Sequence, residues 1–153
     1  ALKVCNHFKK FAESGKLHVR IDTHNSRYLE GLNLEKSFDF LEKFNVKTIR
    51  NYRNEEELKW LVGPGVSAAA ILYLRRILDK RGWKKVGIVA SSGFNALKCS
   101  LFGDVKVPVD IIGTGSYIPE NWTETYATAD IINYDGKEMV KKGREFLLKG
   151  SKK

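Results

Sequence analysis

The chain has 153 residues, 42% hydrophobic and 29% charged, a balance that predicts one soluble globular domain with a sizeable core and argues against disorder. No apolar run reaches the roughly 18–20 residues of a membrane span; the longest, residues 66–74, is interrupted by Ser67 and followed by Arg75 and Arg76. The formal net charge of +9 suits an anionic ligand or nucleic acid, although the basic residues are spread and cluster only at Lys141, Lys142 and Arg144 and in the tail at Lys149, Lys152 and Lys153.

Residues 2–13 place Leu2, Cys5, Phe8 and Ala12 near a helical stripe, and Gly15 offers a stop. A short strand over residues 17–21 ends in the polar loop Asp22-Thr23-His24-Asn25-Ser26. Asn33 caps a second helix with Leu34, Phe38, Leu41 and Phe44 at helical spacing, Lys36 standing where a full capping box needs an acid. Residues 46–49 read as a short strand and 55–62 as one or two helical turns. Gly63-Pro64-Gly65 breaks the chain, and Ser67 caps a helix with Ala70, Ile71, Leu74, Ile77 and Leu78 on one face, ended by Gly82.

Residues 86–90 and 107–112 are nearly all apolar, as strands covered on both faces are, and residues 94–102 between them read as a short helix. Residues 128–134 and 137–140, joined by Asp135-Gly136, read as a β-hairpin with a favoured tight turn. Strands alternating with helices predict an α/β fold with a parallel sheet, the hairpin being an antiparallel addition. An open doubly wound sheet and a piece of a (β/α) barrel share this pattern.

In either case ligands gather where parallel strands end. Three strand ends here carry unusual residues: Arg20-Ile21-Asp22-Thr23, Ser91-Ser92-Gly93 and Gly113-Thr114-Gly115-Ser116. Glycine lets backbone N–H groups approach an anion, a following helix adds unpaired donors, and Ser and Thr add hydroxyls. Two such loops one strand–helix unit apart are neighbours in a parallel sheet, so both phosphate binding and ordinary strand–helix turns fit them. Arg20 and Asp22 alternate along their strand and point the same way, fit either to hold an anion and sugar hydroxyls or to pair with each other.

His24 is the only histidine near these loops; His7 lies on the first helix and His18 inside the first strand. No histidine has a metal-like partner at i+4, and no Ser/His/Asp or Cys/His set, P-loop or GxGxxG is present. Cys5 and Cys99 form no CxxC pair and are expected as reduced thiols of a cytoplasmic protein. No signal-peptide pattern opens the chain, and the start at Ala1 suits a fragment, a processed chain or simple loss of the initiator methionine.

"HVRIDTHNSR" (residues 18–27) resembles the Arg-x-Asp-Thr/Ser segment of nicotinate phosphoribosyltransferases. "GVSAAAILYLRRILDKRGWKKVGIVASSGF" resembles their helix, turn and phosphate-loop strand, "VDIIGTGSYI" the next Gly-rich strand end, and "TADIINYDGKEMVKKGRE" a strand–DG–strand and Lys-Gly-Arg segment near the C-terminus. The matches follow the family's order along roughly the whole chain. The resemblance implies the C-terminal part of an irregular, incomplete α/β barrel of the type II phosphoribosyltransferase kind. The reaction it implies joins nicotinate to the ribose of 5-phosphoribosyl diphosphate, forming nicotinate mononucleotide and diphosphate in NAD biosynthesis, with ATP hydrolysis and Mg²⁺.

On this resemblance Asp22 holds ribose hydroxyls and Arg20 faces the diphosphate or pyridine, with Thr23 beside them. Ser92, Gly93, Gly113, Thr114 and Gly115 cradle the 5′-phosphate. No residue matches the histidine that family members phosphorylate, the first loop lacks the second glycine often found there, and residues 27–62 do not align. Family members typically dimerise, so a homodimer, or pairing with an N-terminal half, is expected. The alternative from another class is a non-catalytic basic α/β module that binds nucleic acid; Trp60, Trp83 and Trp122 are not interleaved with a basic run, which weighs against it.

Overall fold

Three short strands give the architecture its direction. In the computed structural model, which describes residues 1–44, 53–115, 117 and 130–149, β1 (His18–Ile21), β2 (Gly87–Ser91) and β3 (Ile111–Gly113) form a parallel sheet in the order β1-β2-β3. Ile21 pairs with Ala90, and Ser91 with Gly113. The mixed α/β class and the parallel sheet agree with the sequence pattern. The strand expected at residues 46–49 and the first residues of the expected hairpin lie outside the described residues.

Among the described residues six helices precede β3 in chain order. The first helical stretch is two pieces, α1 (Leu2–His7) and α2 (Lys9–Glu13), where one helix was expected; Phe8 leaves helical geometry at φ −102°, ψ 42°. In α3 (Leu34–Phe44) the Asn33 side chain accepts the Lys36 N–H at 2.8 Å, the cap its sequence announces. α4 (Glu55–Val62) opens with a capping box in which Asn54 and Glu57 each accept the other's backbone N–H. Ser67 caps α5 (Ala68–Lys80), which buries Ala68, Ala69, Ala70, Ile71, Leu72 and Leu78.

The core gathers Ala68, Ala70, Ile71, Leu72 and Leu78 with Leu41, Leu61, Ile88, Phe94 and Phe102. α3 and α4 pack on α5, and α5 on β2. Arg75 of α5 ties the helix to the start of β2. Its two terminal nitrogens donate at 2.6 Å each to the carbonyls of Val86 and Trp83, and its Nε donates to Asp79 at 2.9 Å.

Two expected boundaries move. α6 runs Ala96–Asp104, not from Phe94, because the Asn95 side chain accepts the Lys98 N–H at 2.8 Å and starts the helix there. Phe94 is freed to enter the core edge-on to Phe102, ring centroids 5.1 Å apart. β3 is shorter than residues 107–112. Val107 turns back to donate to the Phe102 carbonyl, Pro108 has no N–H, and pairing begins when the Asp110 carboxylate accepts the Ile88 N–H at 2.7 Å.

By its contacts the chain divides into two compact units, Ala1–Ile118 and Pro119–Lys153. In the second, β4 (Asn133–Tyr134) and β5 (Lys137–Glu138) pair antiparallel, and α7 (Phe146–Lys149) comes after them. Asp135 and Gly136 take φ +51° and +74°, the left-handed pair that a two-residue turn requires. Arg144 pairs with Asp130 at 2.8 Å within this unit.

Candidate functional site

Because β1, β2 and β3 run the same way, their C-terminal ends share one side of the sheet. One step beyond the Ile21–Ala90 pair, Asp22 comes alongside Ser91, which itself faces Gly113. Asp22, Ser91 and Gly113 thus form a row across three strand ends. Glycine permits the close approach of the third: a Cβ on Gly113 would stand 3.3 Å from the Ser91 Cβ.

Side chains link the row. Arg20 Nη2 donates to Asp22 Oδ2 at 2.7 Å, and Arg20 Nε donates to the Ser91 hydroxyl at 2.8 Å. The same hydroxyl donates to Asp22 Oδ1 at 3.1 Å. Alternation along the strand brings Arg20 and Asp22 together as expected. Ser91 is named in the sequence as part of its strand end but given no role there; its place beside Ser92 and Gly93 is the signal that marks it. The Arg20 side chain is 61% exposed and that of Asp22 27%, so the cluster opens to solvent. A cavity of about 560 Å³ runs beside it, lined by Arg20, Asp22, Thr23 and Arg27 with Leu74 and Ile77 as apolar wall.

The loop after β2 has an unusual backbone. Ser92 and Gly93 take φ +88° and +64° in succession, a conformation that costs serine of order 1–3 kcal/mol unless its surroundings hold it. Both residues are exposed, and a Cβ on Gly93 would meet nothing within 4 Å. On the inner side lies Lys98, 5% exposed, with its Nζ 3.4 Å from the Ser92 carbonyl oxygen. Its ammonium stands 4.3 Å from the centroid of Phe94 and 5.6 Å from that of Phe102. Burial pushes this ammonium down from 10.5 to about 8, with the Cys99 thiol acting weakly in the opposite direction. Lys98 was not singled out from sequence, because a lysine on a short helix ordinarily reads as surface.

After β3, Gly113 and Thr114 are half-buried and Gly115 is exposed, and the Thr114 carbonyl accepts the Tyr117 N–H at 2.9 Å. Ser116 lies outside the described residues, as do residues 118–129. Thr23 is buried. His24 is held within its own loop by the Ser26 hydroxyl at 2.8 Å and the Ser26 N–H at 3.3 Å. His18 starts β1 at the other end of the strand, its ring lying against Gly87. Among the described residues no group of three His, Cys, Asp or Glu side chains is placed to hold a metal ion. Both cysteines are free thiols. No helix of the described residues is long and apolar enough to cross a membrane.

The site is therefore an exposed guanidinium–hydroxyl–carboxylate cluster beside two glycine-containing loops, able to receive an anion and hydroxyl groups together. Comparison with protein-family models, curated proteins and solved structures finds no match to this chain.

Proposed function

We propose that the chain carries the phosphoribosyl-binding part of a nicotinate phosphoribosyltransferase. The observation that supports this reading best is the row of Asp22, Ser91 and Gly113, with Arg20 bonded into it, at the shared end of three parallel strands. Three of the four segments that resemble the family meet at that row. In this reading the sheet is a section of an incomplete α/β barrel, completed by an N-terminal half or by a second copy.

The reaction needs positioning and charge stabilisation of a departing diphosphate and an electron-poor ribose, with no protein nucleophile. Asp22 receives ribose hydroxyls and Arg20 faces the diphosphate, each exchanging its present partner for substrate. Backbone N–H groups of Ser92, Gly93 and residues 113–115 take the 5′-phosphate, where glycine leaves room. Mg²⁺ suits a set made of substrate phosphates and one or two carboxylates, and Asp22 is the carboxylate of this cluster. ATP enters the reading only through the family resemblance.

Calorimetric titration with 5-phosphoribosyl diphosphate and Mg²⁺ tests the proposal. Saturable binding is expected, weakened at least about tenfold by Asp22→Ala, the loss that goes with one charged hydrogen-bonding partner. A chain that binds no 5-phosphoribosyl diphosphate, alone or with an N-terminal half, overturns the reading. So does an Asp22→Ala variant that binds it as the parent does.

A further inference from the structure

A lysine placed almost wholly in the core beneath an exposed loop calls for an account. Lys98 is 5% exposed, sits against two phenyl rings, and aims its Nζ at the Ser92 carbonyl. In a trans peptide the carbonyl of one residue and the N–H of the next point in opposite directions. With the Ser92 carbonyl turned inward to Lys98, the Gly93 N–H is turned outward. A Cβ at Gly93 would find open space, and among the described residues the Gly93 N–H donates to no protein group.

We propose that Lys98 is a positioning residue for anion binding: from inside the fold it fixes the Ser92–Gly93 peptide plane so that the Gly93 N–H faces the ligand, which is a phosphate monoester or its sulfate analogue. This rests on the anion-binding reading of the loop given above. Lys98 touches no substrate; it acts through the peptide it holds and through its own charge behind that peptide. Without it, no other hydrogen bond among the described residues holds the Ser92 carbonyl inward. A flip of this plane changes ψ of Ser92 and φ of Gly93, and Gly93, lacking a Cβ, accepts a φ of either sign, so only the hold from Lys98 selects the present orientation.

The charge gives the inference a second, independent signature. The ammonium loses its proton near pH 8. Among the described residues the groups around it are the Ser92 carbonyl and the rings of Phe94 and Phe102, and the titratable neighbour acting on it is the Cys99 thiol of its own helix.

Inorganic sulfate is the probe, since its charge does not change in this range. Binding is followed by the backbone amide resonance of Gly93 and by calorimetry, between about pH 7 and 9. In the parent protein the Gly93 amide is expected to move on sulfate addition, with affinity falling several-fold as pH rises through about 8. Lys98→Met is expected to bind sulfate about tenfold more weakly at pH 7, with a flat pH profile and no loss of thermal stability. Lys98→Gln, which keeps a donor without the charge, is expected to fall between the two with a flat profile, and decides the matter should the methionine variant not fold. Variants that bind sulfate as the parent does, with its pH profile, overturn the role of Lys98 and leave the site standing. A parent protein whose Gly93 amide ignores sulfate overturns both the role and the anion-binding reading of the loop.

Discussion

At Lys98 the protein keeps a cation where the solvent cannot reach it, and its stability should record that. The ammonium is lowered from 10.5 to about 8 by burial, so between those values the unfolded chain binds more protons than the folded one. Stability contributed by this group therefore rises with pH through that window and is lowest below it. A shift of this size corresponds to on the order of 3 kcal/mol between the two ends. Urea denaturation at about pH 7.5 and pH 10 should show a gain in the parent protein relative to Lys98→Met, which removes the titrating group. A parent-minus-variant difference that is the same at both values would show that Lys98 is not a buried cation. At the same scale, Arg20 and Asp22 were legible because strand alternation is a strict geometric rule. Lys98 was not, since its burial depends on Phe94 leaving the helix and folding back over it.

Among the elements, caps carried most of what was legible. Asn33 and Ser67 each hold the N–H that their positions foretell, and α3 and α5 begin where expected. The misjudged boundaries share one cause, a local polar or rigid group outcompeting an apolar run. Asn95 starts α6 two residues late, and Pro108 with Asp110 delays β3. The connection from α5 to β2 depends on Arg75 in a way no periodicity reveals. Its guanidinium satisfies two backbone carbonyls, and the side chain is only 18% exposed. Arg75→Met keeps the apolar stem but strands both carbonyls, and should lower stability by about 3 kcal/mol in a denaturant titration. A loss below about 0.5 kcal/mol would mean the clamp contributes no more than an ordinary surface ion pair.

On the scale of the whole molecule, the parallel sheet was legible from alternation of helices and apolar strands, whereas its register was not. Register comes from the packing of α5 on β2, and only register shows that Asp22, Ser91 and Gly113 stand in one row. The net charge of +9 acts on the folded chain as self-repulsion, which salt screens. Raising sodium chloride from about 10 to about 150 mM should increase the melting temperature by a few degrees, and an unchanged or lower value would show that the charges are balanced locally.

The bond from Arg20 to Ser91 spans 71 residues of sequence. Both strand pairings of the sheet join segments separated by a helix or more, whereas helices α3, α4 and α5 are built from neighbours. Contacts so distant along the chain are expected to close late in folding, after the local helices have formed. A chain with its helices in place would then still lack the row of Asp22, Ser91 and Gly113. Assembly of the site and completion of the sheet are in that case a single kinetic event, and the capacity to take a ligand appears only with the finished fold.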